Sequence, residues 1–369
     1  MKYLLKKILE LISSLLSQII PKNKKLVLLG GSQRNNYNES SRYLYEYLNK
    51  NNDDGYFIWI TSSKEVCKYL KEKGLPAEYY LSLKGIWYYL RSGLVICNGT
   101  VPLGLVNLVG KETIKITINH GCGPRSTIGI DPNIYISKNE LAKDLNIFNF
   151  FNFTSDFTSL EIGRNEYLLP ENKIINLGFP RCDHLLNKIE VDKQKALKKF
   201  LRDNYSMLNK DSKCILYAPT WRPSHHPSQK KFPLEFMDDF DYFSFNSWLL
   251  ENNIYLFISG HDLSNKDYLI NDLSHFIYLK KNDFFDINLV LPEFDFLLTD
   301  YSSIATDYML MMRSVIYYMP DYNFYLNEYG LLEDIKENMP GPIVENMESL
   351  KNILLEMSES KNENQDLIY

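Results

Sequence analysis

Cysteine is scarce in this chain and poorly spaced for any covalent or metal framework. The five residues, Cys67, Cys97, Cys122, Cys182 and Cys214, are odd in number and contain no CxxC pair. Neither a disulfide scaffold nor a zinc site is expected, and a reducing cytoplasm fits best. Positive charge is also in short supply. With 41 Lys and Arg against 46 Asp and Glu, the formal net charge is -5, which offers no general attraction for nucleic acid, so no nucleic-acid partner is expected. The phosphate-cradling patterns GxxxxGKS and GxxxxGKT are absent, which removes ordinary P-loop ATPase chemistry. No uninterrupted apolar run is long enough to span a bilayer, and no small-x-small cleavage site follows the first apolar segment. No fixed-period repeat runs through the chain either.

What is present points to two well-packed domains. A length of 369 residues exceeds what one hydrophobic core usually serves, and 45% hydrophobic residues with 27 Tyr and 20 Phe supply ample core material. The first 20 residues, MKYLLKKILELISSLLSQII, place Leu4, Leu5, Ile8, Leu9, Ile12, Leu15, Leu16, Ile19 and Ile20 at helical spacing. Lys2, Lys6, Lys7, Glu10 and three serines fall largely opposite, so residues 1–21 read as an amphipathic helix. A membrane surface is its expected partner, with Lys22, Lys24 and Lys25 reaching lipid headgroups. The alternative is packing on the protein's own body or on a second subunit of a homo-oligomer.

Beyond Pro21, short apolar runs alternate with helical periods, the mark of parallel βαβ units. Strands are expected at residues 25–30, 56–61, 94–98, 114–119 and 173–178 of a first Rossmann-like domain, residues 22–190. A lysine-rich linker, residues 191–213, leads to a second such domain, residues 214–357, with strands at 214–219, 254–259, 276–280, 294–299 and 315–319. A polar tail, residues 358–369, closes the chain. Doubly wound domains bind ligands at the carboxyl ends of their strands, so a central cleft between the two is the expected active site.

The residues that follow those strand ends carry the chemistry. In FLLTDYSSIATDYMLMMRS, Asp300 or Thr299 is expected to cap a helix whose first turn holds Ser302 and Ser303, with Ile304, Tyr308, Met311 and Met312 as its buried stripe. Two hydroxyls and unpaired N–H groups there would suit an anion; alternatively the serines are simple helix-start residues. In NHGCGPRSTIGID, His120 sits between a strand end and a glycine-rich turn, where Gly121 permits close approach and Arg125 can clamp a phosphate. General base is the role such a histidine suits, and stiffening the loop is the alternative. His261 holds an equivalent place in the second domain, where it would neutralise phosphate or remain a satisfied loop histidine.

Taken in order, NHGCGPR, GFPRCDHL, YAPTWR, SGHDL, TDYSS and PGPIVEN resemble the CDP-glycerol glycerophosphotransferase family, the teichoic acid primases and polymerases with related capsule enzymes. The likeness extends over residues 115–347 and is tightest at YAPTWR and TDYSS followed by PGP. It implies a GT-B fold with an N-terminal acceptor-side domain and a C-terminal donor domain. It also implies peripheral attachment to the cytoplasmic face of the cell membrane, and transfer of a polyol phosphate from CDP-glycerol or another CDP-polyol to a lipid-linked or polysaccharide acceptor, with release of CMP. Carried over, His120 is the base, His261 stands beside the donor pyrophosphate, and Ser302, Ser303, Thr220 and Arg222 hold the donor phosphates. This chain departs from the family at Asn119, where Trp is frequent, and at Asp262 and Ser314, where Pro is usual. With no metal cluster visible, no cofactor and no divalent ion are expected. A GT-B glycosyltransferase acting on a nucleotide sugar, or a non-catalytic nucleotide-binding protein at a membrane, would share the architecture; the nucleotide released separates them.

Overall fold

The computed structural model describes residues 16, 19–31, 35–51, 54–99, 109–110, 112–119, 121, 138–190, 199–220, 234, 240–259, 273–279, 286–331 and 339–359. The chain forms two compact units. The first comprises Met1–Gly121, Ile136–His184 and Lys281–Asp286, and the second Cys122–Tyr135, Leu185–Lys280 and Ile287–Tyr369.

In the first unit, strands β1 (Asn23–Gly30), β2 (Tyr56–Thr61), β3 (Ala77–Tyr79), β4 (Ser92–Cys97), β5 (Ile114–Thr117), β6 (Phe150–Phe153) and β7 (Ile174–Asn176) form one sheet in the order β3-β2-β1-β4-β5-β6-β7. Every pairing in it is parallel. Its central strands are nearly continuous apolar runs because helices cover both faces of such a sheet. These helices are α1 (Glu39–Asn51), α2 (Lys64–Glu72), α3 (Leu83–Arg91), α4 (Lys138–Leu145) and α5 (Pro180–Glu190). Serines start two of them. Ser63 Oγ accepts from Val66 N at 3.2 Å and Ser82 Oγ from Gly85 N at 2.9 Å, satisfying N–H groups that a helix start leaves without partners. The core gathers Leu29, Leu70, Tyr37, Tyr45 and Trp59, the last three in ring contact at 4.9 and 5.4 Å to Trp59.

The second unit repeats the construction. Strands β8 (Lys213–Tyr217), β9 (Ile254–Ile258), β10 (Phe276–Tyr278), β11 (Phe296–Thr299), β12 (Val315–Tyr318) and β13 (Ile343–Val344) are ordered β10-β9-β8-β11-β12-β13, again all parallel. Helices α6 (Lys199–Asn204), α7 (Tyr242–Glu251), α8 (Ile287–Val290), α9 (Ile304–Met309), α10 (Tyr322–Tyr329) and α11 (Met347–Glu359) accompany them. Ile215, Leu256, Leu298, Ile316, Leu350 and Leu354 fill the core. In both sheets the order of strands reverses once, between β1 and β4 and between β8 and β11, which is where doubly wound sheets open a crevice for ligands.

Three strands, β3, β6 and β13, were not expected from the sequence, and β5 ends two residues early. Each is two to four residues long, too short for an apolar period to register. The expected amphipathic segment 1–21 lies mostly outside the described residues. Near its end, Ile20 N donates to Leu16 O at 3.0 Å, a helical bond. Among the described residues no helix is long and apolar enough to cross a membrane.

Candidate active site

Strands β8 and β11 lie side by side, with Leu297 opposite Leu216 and Leu298 opposite Tyr217. Their carboxyl ends therefore release two segments at one place, Ala218-Pro219-Thr220 and Asp300-Tyr301-Ser302-Ser303. A ladder of bonds joins them. Ala218 N donates to Leu298 O at 3.0 Å, and Thr299 Oγ1 donates to Ala218 O at 2.7 Å. One carboxylate oxygen completes the join: Asp300 Oδ1 accepts from Thr220 N at 2.7 Å and from Tyr301 N at 2.6 Å. Asp300 is 1% exposed. A buried carboxylate is costly unless hydrogen-bonded, and two short charge-assisted bonds from backbone N–H groups offset that cost.

Below this join, Tyr301 is fully buried, stacked on Tyr325 at 3.8 Å and donating to Asp321 Oδ1 at 3.3 Å. The fixed tyrosine and aspartate leave Ser302 and Ser303 half-buried at the loop's outer turn. Ser302 Oγ accepts a long 3.5 Å bond from Ile304 N, and Ser303, at the N-cap of α9, makes no capping bond through its side chain. Deeper in, burial pushes the Tyr308 phenol well above its ordinary pKa, so it remains a neutral donor to Phe294 O at 2.9 Å.

These observations correct three expectations. Ser302 and Ser303 precede α9, which starts at Ile304, and do not lie in its first turn. Neither Asp300 nor Thr299 caps α9, because both are committed to the neighbouring strand's loop. Met312 does not belong to the buried stripe; it is exposed, with φ at 56°, where the chain turns out of the helix. Tyr308 and Met311 are buried as expected.

In the first unit the exit of β5 is pinned. Thr117 Oγ1 donates to Gly99 O at 2.6 Å and accepts from Asn119 N at 3.2 Å. Asn119 is buried with φ at 57°, a left-handed conformation that Asn tolerates better than most side chains. Half-buried Gly121 follows shortly after. His120, Arg125, Arg222 and His261 lie outside the described residues.

Of the expected site residues, Thr220, Ser302 and Ser303 are thus brought together in one unit, at the reversal point of its sheet. The sequence reading missed Asp300 as the lock between the loops, and with it the Tyr301, Tyr325 and Asp321 support. An aspartate directly after a buried apolar strand was the available signal, since such a group must collect N–H partners. Among the described residues no group of three or more His, Cys, Asp or Glu side chains is arranged to hold a metal ion.

Comparison with known proteins gives the family and the fold. A family profile described as CDP-Glycerol:Poly(glycerophosphate) glycerophosphotransferase matches residues 12–369. The chain is 25% identical over 367 residues to a teichoic acid poly(glycerol phosphate) polymerase of Bacillus spizizenii, covering 94% of this chain and 86% of that protein. It is 25% identical over 356 residues to a teichoic acid glycerol-phosphate transferase of Staphylococcus aureus, covering 92% and 86%. A solved structure of a variant of the wall teichoic acid polymerase TagF, soaked with CDPG, shares the fold with a TM-score of 0.76 at 21% identity, over 99% of this chain and 88% of that one.

Proposed function

The chain belongs to the CDP-glycerol:poly(glycerophosphate) glycerophosphotransferase family, and from that premise we propose that it transfers glycerol phosphate from CDP-glycerol to a hydroxyl of a teichoic-acid-type acceptor, releasing CMP. The observation that carries this reading within the molecule is the joining of the Thr220 and Ser302–Ser303 segments by Asp300 at the reversal point of the second sheet. Two hydroxyls on a rigid loop beside a second strand end suit the oxygens of a diphosphate.

In this reading the two units are the halves of a GT-B fold, the first serving the acceptor and the second the donor. His120 takes the proton of the acceptor hydroxyl as its oxygen attacks the glycerol-bound phosphorus. The bond from that phosphorus to the bridging oxygen breaks, and CMP leaves with the electron pair. Ser302, Ser303 and Thr220, with Arg222 and His261, hold the charge that develops on the departing phosphate. Gly121 and Arg125 flank the base on the acceptor side. The chain works at the cytoplasmic face of the membrane, held peripherally by residues 1–21.

The test is the identity of the released nucleotide. The protein is incubated with CDP-glycerol, CDP-ribitol and UDP- and GDP-sugars over lipid-linked acceptors. CMP released from CDP-glycerol is the expected product. A nucleoside diphosphate released from a sugar donor would overturn the reading in favour of glycosyl transfer, and binding without any release would make the protein a non-catalytic binder.

A further inference from the structure

Helix α3 turns an unusual face outward. Gly85, Tyr89 and Leu90 are buried, and a Cβ at Gly85 would stand 2.4 Å from Tyr79 O, so this side of the helix is pressed against the chain beneath. On the other side, Leu83 is 89% exposed and Trp87 48%, with Leu81 at 44% just before the helix. Two cations share that face. Arg91 lies over the Trp87 ring at 5.6 Å, and Lys84 over the Tyr88 ring at 5.7 Å. The helix sequence, LKGIWYYLR, contains no acidic residue. One carboxylate, Glu78, is shared between Lys71 at 3.2 Å and Lys84 at 3.4 Å, so these three side chains together with Arg91 carry a net positive charge.

A hydrogen bond ties this helix to the start of the described chain. Lys22 Nζ donates to Leu90 O at 2.6 Å, at the last turn of α3. Three residues earlier Ile19 is 80% exposed, and Leu16 is 42% exposed. Lys22 thus anchors the start of the described chain at the last turn of α3.

We propose that the outward face of α3 is a second membrane contact, which docks Leu83 and Trp87 among the acyl boundary and headgroups of an anionic bilayer. The proposal rests on the reading that the chain works at a membrane surface. Charge complementarity selects the occupant. The N-terminal segment carries Lys2, Lys6 and Lys7 against Glu10, so folding it onto Lys84 and Arg91 would bring like charges together. A second copy of the chain meeting this face with its own would do the same. Anionic lipid satisfies both the cations and the apolar side chains, the combination by which interfacial helices bind. A tryptophan with one polar edge is suited to that boundary.

The test is co-sedimentation of the full chain with vesicles of equal parts phosphatidylglycerol and phosphatidylcholine, and of phosphatidylcholine alone. Wild type is compared with the pair Leu83→Ser and Trp87→Ser, with Lys84→Gln, and with a chain lacking residues 1–20. The paired serine variant is expected to bind anionic vesicles roughly tenfold more weakly, with unchanged CMP release on a soluble acceptor analogue reporting an intact fold. Lys84→Gln is expected to weaken binding to anionic vesicles alone. Undiminished binding by the paired variant overturns the role of α3, and if deletion of residues 1–20 still releases the protein, the membrane reading stands without it. Failure of wild type to bind either vesicle overturns both. A change in oligomeric mass caused by the serine pair would assign the face to a second copy and likewise overturn the proposal.

Discussion

Asp300 and its two neighbouring serines divide the labour of one loop, and substitutions should separate their roles. Asp300→Ala leaves the Thr220 and Tyr301 N–H groups buried without their acceptor, at a cost of roughly 1–3 kcal/mol each. Urea unfolding should show a loss of about 2–5 kcal/mol. Ser302→Ala with Ser303→Ala should leave stability within about 0.5 kcal/mol, since neither hydroxyl sits in the core, while weakening CDP-glycerol binding by about tenfold or more in calorimetry. Unchanged affinity in the serine pair would return both residues to the status of helix-start residues. The place of the serines at a strand-to-helix junction was legible because an apolar strand run gives way there to a helical period. The partner of Asp300 was not, because Thr220 lies 80 residues away and becomes a neighbour only once β8 and β11 pair.

At the scale of elements, apolar runs located the long strands of both sheets, and Ser63, Ser82 and Asp241 mark helix starts as capping chemistry requires. The short strands escaped. AEY at β3 and FFNF at β6 show no period of their own and are strands because a neighbour offers a ladder. A buried histidine stands at the entry to β10. His275 stacks on Tyr255 at 4.2 Å, its Nδ1 lies 2.9 Å from Ser274 Oγ, and its backbone bonds to Leu256 N and Asn246 Oδ1. Burial pushes the imidazole below its ordinary value of 6.5, so the folded state favours the neutral ring. The contribution is complete above the unfolded value and is lost as pH falls through 6.5 towards the lower folded value, because protonation then draws the chain to the unfolded state. His275→Phe keeps the ring contact and removes the titration. Its melting temperature should therefore fall less than that of wild type between neutral pH and pH ~5.5, by about 2 °C or more. An identical fall in the two proteins would rule the histidine out as a source of acid sensitivity.

At the scale of the whole molecule, each unit has a sheet and a hydrophobic core of its own, and the joined Thr220 and Ser302–Ser303 segments, the proposed donor site, belong to the second. Scanning calorimetry should resolve two transitions, of which CDP-glycerol raises one. At a ligand concentration one hundred times Kd the gain is about 2.7 kcal/mol; a single transition that moves as a whole would contradict this division. The join made by Asp300 also sets a rule for anyone who would exchange these loops between related proteins. One loop contributes side chains and the other only main-chain groups, so a graft must carry Thr299 and Asp300 with residues 299–303, whereas residues 218–220 need only present their backbone. For the same reason the join is indifferent to the side chain at position 220 and intolerant of proline there, the one residue with no N–H to give.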